Sequence, residues 1–240
     1  MGIFMYTLNS RIRYSEVDSS KELLLSSLLD YFQDCCTFES EELGIGVDYL
    51  AQKQAAWVLS SWQIEILRYP QFNEAIRIST WPYGFKGFYG YRNFAACEEN
   101  GNVIAKANSV WVFLDTEKMR PQKISEELAD AYRDAFREPL TGTWAERKIT
   151  MPECSEEKET VPVVGYYIDT NRHMNNSKYV QVAMEYLPDG FKVASLRAEY
   201  KKAAKLGDVL CPAVSSENGN VTVLLSDRER KPYAVISFSS

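Results

Sequence analysis

The chain has 240 residues, of which 45% are hydrophobic and 25% charged, and its formal net charge at pH 7 is −6. This composition is typical of an ordinary globular protein that can bury a core without disulfides or metals. The acidic balance argues against a general nucleic-acid binder, and no apolar run is long enough to predict insertion into a membrane.

The cysteines indicate a reducing environment. They are scattered and odd in number, and no pair has the spacing of a zinc site; they are Cys35, Cys36, Cys97, Cys154 and Cys211. Cys35 and Cys36 fall within an apolar helical stripe, so we interpret them as reduced core residues. No apolar signal segment is visible between Met1 and Arg11. We therefore expect a cytoplasmic protein that needs no metal or other cofactor.

The first half of the chain predicts one long helix followed by strands. A strand over 5–17 and a turn at 18–20 precede an apolar stripe at helical spacing, formed by Leu25, Leu28, Leu29, Phe32, Cys35 and Cys36. Strands are then predicted over 58–66, 75–81 (ended by Pro82), 89–98 and 103–115, the last two as a hairpin across Asn100-Gly101. This order predicts an antiparallel sheet wrapped around the helix.

The second half repeats that order. A surface helix is predicted over 125–136, and a strand is predicted over 163–169. A second helix follows, with the apolar stripe Val180, Ala183, Met184 and Leu187. The remaining strands are predicted over 195–202, 209–216, 221–226 and 233–239. The segment 17–20 aligns with 168–171. We therefore predict two repeats, 1–138 and 161–240, joined by a linker over 139–160.

The candidate site lies where the second repeat enters its helix. His173 is the only histidine of the chain, and Asp169 and Asn171 precede it at steps of two. In an extended segment such side chains point the same way, so the three are expected to converge. Asn175 and Asn176 follow at the helix start, where Asn most often acts as a cap. The first repeat has Ser20 and Glu22 instead of Asn171 and His173, which predicts a single active site.

The segment from Asp169 to Tyr179 resembles the D-x-N-x-H-x-N-N-x-x-Y signature of acyl-acyl-carrier-protein (acyl-ACP) thioesterases, which are hotdog-fold enzymes that hydrolyse fatty acyl thioesters. Weaker resemblances follow the family order at 68–70, 80–82, 91–94, 109–115, 120–121 and 199–202. The resemblance implies an α+β double (tandem) hotdog fold. It also implies hydrolysis of fatty acyl-ACP to free fatty acid and carrier protein, which terminates fatty acid synthesis.

One segment departs from the family pattern. Glu199-Tyr200-Lys201-Lys202 resembles the Glu-Tyr-Arg-Arg segment of plant members, in which Glu-Cys follows and both residues have been proposed as catalytic. Here Ala203 and Ala204 stand at those positions. A mechanism with a cysteine nucleophile is therefore not expected.

The catalytic roles are predicted for Asp169, Asn171 and His173. We expect His173 to act as the general base with Asp169 orienting it, and Asp169 as the base is the alternative. Asn171 can position the water or donate to an oxygen. Backbone N–H groups near Asn175 and Asn176 are candidates for stabilising the oxyanion. An acyl-CoA thioesterase and a non-catalytic lipid-binding hotdog protein remain as alternative functions.

An acyl carrier protein is typically acidic, as this chain is, so docking requires a local group of cations. The densest candidates are Lys201, Lys202 and Lys205, which follow the strand at 199–200. Neither a nucleic acid nor a membrane is expected as a partner. A tandem repeat can mimic a hotdog dimer within one chain, so monomer and homodimer both stay open.

Overall fold

A computed structural model describes residues 5–142, 144–152 and 155–240. It divides into two compact units, an N-terminal unit of Met1–Ser60 and Ile66–Trp144 and a C-terminal unit of Ser61–Glu65 and Ala145–Ser240. The predicted bounds 1–138, 139–160 and 161–240 differ from this division because residues of the predicted linker are hydrogen-bonded into the units. Leu140 N donates to Asn93 Oδ1 in the first unit and Ile149 N to Glu199 Oε2 in the second.

The N-terminal unit packs a long helix against antiparallel strands. Its elements are β1 (Tyr6–Arg11), α1 (Leu25–Glu42), α2 (Val47–Gln52), the first part of β2 (Ala55–Ile66), β3 (Ala75–Lys86), β4 (Tyr89–Glu98), β5 (Val103–Asp115), β6 (Arg120–Pro121) and α3 (Glu126–Ala131). The strands β1, β3, β4 and β5 are neighbours in that order. All six residues of the predicted helical stripe are buried, and Phe32 of α1 packs on Phe94 of β4 at 5.3 Å between ring centroids.

The C-terminal unit repeats this arrangement with a shorter helix. Its elements are Ser61–Glu65 of β2, then β7 (Glu156–Glu157), β8 (Val161–Pro162), α4 (Asn176–Met184), β9 (Ser195–Tyr200), β10 (Val209–Glu217), β11 (Asn220–Ser226) and β12 (Pro232–Ser239). Ser61–Glu65 pairs with β9, and β12, β11, β10 and β7 follow. Val180 and Ala183 of α4 are fully buried where the helix packs on β11 and β12.

Most predicted strands are confirmed, including the hairpin across Asn100-Gly101, but Pro82 does not end its strand. β3 continues to Lys86, and its register shifts between Pro82 and Gly84. β1 pairs with β3 only as far as Thr80, so the missing N–H of Pro82 removes no hydrogen bond to that neighbour. The strand predicted over 5–17 is also too long, since β1 ends at Arg11 and a 3₁₀ turn follows at Tyr14–Glu16.

Three other predictions of local structure need correction. The surface helix predicted over 125–136 is the shorter α3 followed by a 3₁₀ turn at Arg133–Ala135, and its Leu128 and Tyr132 are buried. The second predicted helix ends at Met184 rather than Leu187. The strand predicted over 163–169 is wrong, because Gly165–Tyr167 forms a 3₁₀ turn. Among the described residues, no helix is long and apolar enough to cross a membrane.

Candidate active site

His173 lies in a closed turn between the 3₁₀ turn at Gly165–Tyr167 and α4. The Oδ1 atom of Asp169 accepts hydrogen bonds from the backbone N–H of Asn171 at 2.8 Å and of His173 at 3.2 Å. Asp169 N in turn donates to His173 O at 2.8 Å. Arg172 has a φ of 61°, in the left-handed region. The Asp169 side chain therefore organises the backbone of the whole turn, as Asp often does in loops.

This turn replaces the extended segment that the sequence predicted. Alternation of side chains along a strand therefore does not apply to Asp169, Asn171 and His173. The side chain of Asn171 is exposed and that of His173 is half-buried. In the part of the chain that the structure describes, no hydrogen bond joins the Asp169 carboxylate to the imidazole. Asp169 instead binds His173 through hydrogen bonds to the His173 backbone.

The N-terminal unit contains the same turn without the histidine. Asp18 Oδ1 accepts from Ser20 N at 2.8 Å and from Glu22 N at 3.0 Å, and Lys21 has a φ of 64°. In each unit a β-bridge closes the turn, between Val17 and Leu23 in one and between Ile168 and Met174 in the other. The predicted alignment of these segments is confirmed. The aspartate thus belongs to the fold of both repeats, and what differs is Asn171 for Ser20 and His173 for Glu22.

The start of α4 is capped by Asn175. Its Oδ1 atom accepts from Ser177 N at 3.0 Å and from Ser177 Oγ at 3.1 Å, which identifies it as the N-cap residue. Asn176 is the first residue of the helix, and its carbonyl oxygen accepts a hydrogen bond from the Tyr200 hydroxyl at 3.0 Å. The positive end of the helix dipole therefore lies two residues after His173 in the chain.

Ala204 ties the turn to α4. Its carbonyl oxygen accepts from Met174 N at 2.9 Å, and its N–H donates to the Tyr179 hydroxyl at 2.7 Å. Ala204 is fully buried, whereas Ala203 is exposed. Burial also raises the pKa of Tyr179 to about 12, so its hydroxyl is protonated at neutral pH. Sequence reasoning gave Tyr179 no role, and its place at the end of the motif was the only signal.

The three candidate docking lysines have different surroundings. Lys201 Nζ lies 2.7 Å from a Glu199 carboxylate oxygen. Lys202 Nζ lies 3.1 Å from Asp227 and 5.0 Å from the centre of the Tyr233 ring. The Lys205 ammonium has no ion pair among the described residues, although its backbone N–H donates to Asp208. Of these three ammonium groups, only that of Lys205 forms no ion pair within the described residues, although the Asp208 carboxylate lies beside its main chain.

Two of the described cysteines, Cys35 and Cys36, are poor candidates for a nucleophile. Cys35 and Cys36 are buried in α1, and burial raises the pKa of each thiol to about 12. Cys97 and Cys211 are half-buried free thiols, and Cys154 lies outside the described residues. Within the described ranges, no three His, Cys, Asp or Glu side chains come together as ligands for a metal ion.

Models of the acyl-ACP thioesterase N-terminal domain and C-terminal domain match residues 4–132 and 152–231. A chloroplastic palmitoyl-acyl carrier protein thioesterase of Gossypium hirsutum is 21% identical over 232 residues, which cover 90% of this chain and 56% of that protein. The chain thus spans little more than half the length of this curated relative.

Two solved structures share the α+β tandem hotdog fold. An acyl-ACP thioesterase from Bacteroides thetaiotaomicron superposes with a TM-score of 0.86 at 21% identity, over 97% of this chain and 96% of that one. The 12:0-ACP thioesterase from Umbellularia californica gives 0.86 at 17% identity, over 100% and 98%. Since the N-terminal family model alone covers more than half of the chain and the C-terminal model follows it in order, the chain belongs to the acyl-ACP thioesterase family.

Proposed function

We propose that the protein is a thioesterase that hydrolyses fatty acyl-ACP to free fatty acid and carrier protein, and so terminates fatty acid synthesis. The observation that carries this proposal is the comparison of the two turns. Both repeats build the same aspartate-organised turn, and only the C-terminal repeat places Asn171 and His173 on it. Because the turn occurs in both repeats, it serves the fold. The imidazole occurs on only one of the two turns, which favours a catalytic role for that turn.

In the proposed mechanism His173 is the general base. Its imidazole takes a proton from water as the water oxygen attacks the thioester carbonyl carbon. The carbon–sulfur bond then breaks, and the imidazolium returns the proton to the leaving thiolate. Asn171, whose side chain is exposed two residues before His173 in the same turn, positions the water or donates to the oxyanion. The N-terminus of α4, near Asn175 and Asn176, favours the negative charge of the tetrahedral intermediate.

Asp169 is assigned to positioning in this proposal. One of its oxygens already accepts two backbone N–H groups, and Asp18 makes the matching bonds in the repeat that lacks the histidine. The role of Asp169 as the base itself is the alternative. The two roles predict opposite results for replacement by Asn.

The absence of a protein nucleophile is part of the proposal. Ala203 and Ala204 replace the Glu and Cys of plant members, and Ala204 hydrogen-bonds through its main chain to Met174 and Tyr179. Direct attack by water is therefore the route proposed. We also propose that the enzyme acts in the cytoplasm, where reduced thiols such as Cys35 and Cys36 persist.

The proposed partner is an acyl carrier protein, for which the sequence suggests Lys201, Lys202 and Lys205 as docking candidates. The test is to incubate the purified protein with acyl-ACP and with the matched acyl-CoA over several chain lengths, and to measure free fatty acid by mass spectrometry. We expect a higher kcat/KM for acyl-ACP and a loss of activity in His173→Ala. A preference for acyl-CoA would contradict the proposed substrate, and equal activity of His173→Ala would contradict the proposed site.

A further inference from the structure

Four exposed residues lie in or near the turn of His173, and they are here called the rim: Tyr166, Arg172, Lys205 and Leu206. Tyr166 is 74% exposed and Leu206 is 66% exposed, although both are large and apolar. Tyr166 packs on Tyr167, with ring centroids 4.5 Å apart. Exposed apolar side chains that occur together commonly mark an interaction surface.

Backbone hydrogen bonds bring the rim residues together. Gly207 N donates to Val163 O at 3.0 Å and Val163 N to Asp208 O at 2.8 Å, which places the loop of Leu206 beside the segment that leads to Tyr166. Met174 N donates to Ala204 O at 2.9 Å, which places Lys205 beside the turn that contains Arg172. Arg172 is part of the turn of His173, and the other three residues lie on segments joined to it by backbone hydrogen bonds, since Asn175 N also donates to Tyr167 O at 2.8 Å.

The rim also carries two cationic side chains, Arg172 and Lys205, for which the described residues provide no ion pair. Across the described part of the chain, neither the Arg172 guanidinium nor the Lys205 ammonium has a carboxylate partner. The neighbouring Lys201 and Lys202 differ, because Glu199 and Asp227 pair with them. In a chain of net charge −6, unpaired cations beside exposed apolar groups favour an acidic protein as the partner.

We propose that the rim is the docking surface for the acidic carrier protein, a proposal that rests on the function proposed above. Arg172 and Lys205 pair with carboxylates of the carrier, and Tyr166 and Leu206 contact its apolar side chains. This surface adjoins His173, so a carrier bound there delivers its thioester over a short path. Of the three lysines suggested by sequence, the proposal keeps Lys205 and assigns Lys201 and Lys202 to ion pairs within the fold.

The test compares Lys205→Glu and Leu206→Ala with the matched control Lys86→Glu. Lys86 is an exposed residue at the end of β3 in the N-terminal unit, and its reversal changes the net charge by the same amount. Arg172 is left in place because it lies in the turn of His173. Each variant is assayed with acyl-ACP and with the same acyl group on a small neutral thioester, at low and at high salt, and its fold is checked by thermal unfolding.

We expect Lys205→Glu and Leu206→Ala each to raise the ratio of the acyl-ACP KM to the small-thioester KM by about fivefold to tenfold, which corresponds to roughly one lost contact. The effect of Lys205→Glu falls at high salt because exposed charges are screened, whereas the effect of Leu206→Ala does not. Lys86→Glu leaves both KM values unchanged.

Two results would overturn the docking proposal while the wild-type enzyme still hydrolyses acyl-ACP. One is an unchanged KM ratio in folded Lys205→Glu and Leu206→Ala. The other is an equal rise in Lys86→Glu, which assigns the effect to net charge alone. A wild-type protein that hydrolyses neither thioester refutes the proposed function instead, so the two failures are distinguishable.

Discussion

Replacement of Asp169 separates a structural role from a chemical one. Asp169→Asn keeps an oxygen at the Oδ1 position, so it can still accept from the backbone N–H of Asn171 and His173, but it cannot serve as a base. Asp169→Ala removes both hydrogen bonds. The N-terminal repeat supplies matched controls in Asp18→Asn and Asp18→Ala, because Asp18 makes the same bonds to Ser20 and Glu22.

The expected magnitudes follow from these bonds. A hydrogen bond contributes about 0.5–1.5 kcal/mol and somewhat more when one partner is charged. The turns are partly solvated, so we expect Asp169→Ala and Asp18→Ala each to lower the free energy of unfolding by about 1–3 kcal/mol, and the Asn variants by about 1 kcal/mol or less. If Asp169 only positions His173, Asp169→Asn keeps kcat within about tenfold of wild type. Asp169→Ala lowers kcat by about 10²-fold, the effect of a displacement near 1 Å.

The assay is release of free fatty acid from acyl-ACP under single-turnover and steady-state conditions, with urea unfolding of the same four variants. Loss of general acid–base catalysis typically costs 10²–10⁴-fold. A kcat for Asp169→Asn that falls by this amount, in a protein as stable as Asp18→Asn, would refute the positioning role and identify the carboxylate as the base.

The site and two buried tyrosines yield four further predictions. His173→Ala and Asn171→Ala each lower kcat sharply, by about 10²–10⁴-fold for His173, and leave the unfolding midpoint unchanged. Near wild-type turnover in the double variant would refute the proposed site. A folded variant with all five cysteines replaced by Ser or Ala retains kcat, and loss of turnover would contradict direct attack by water. Tyr179→Phe leaves the buried Ala204 N–H without its acceptor, which lowers the free energy of unfolding by about 1–3 kcal/mol. It also lowers kcat more than it changes KM. An unaltered kcat would show that this hydrogen bond does not support the site. Burial raises the pKa of Tyr31 in α1 and of Tyr179 to about 12, so as the pH rises the unfolded chain loses these protons first. The free energy of unfolding therefore falls between about pH 10 and pH 12, by up to roughly 1.4 kcal/mol per pH unit for each tyrosine. Urea unfolding across this pH range measures the effect, with the two Phe variants as controls.

The sequence by itself determined the features that depend on local periodicity and turn chemistry. The stripe from Leu25 to Cys36 specifies α1, because a 3.6-residue repeat of apolar side chains buries one helix face in any compact fold. Asn100-Gly101 specifies the hairpin of β4 and β5, since these residues tolerate the backbone conformation of a tight turn. The alignment of the repeats and the single histidine also follow from sequence, as does the motif that indicates the family.

The tertiary structure alone decided how the site is held. Steps of two predicted that Asp169, Asn171 and His173 share one side of a strand, but the Asp169 carboxylate accepts two backbone N–H groups and closes a turn instead. The link from Met174 through Ala204 to Tyr179 joins residues 30 and 25 positions apart in the chain. The partners of Lys201 and Lys202 likewise depend on which strands become neighbours. Such contacts have no local signal, because they arise only when packing brings distant segments within hydrogen-bonding distance.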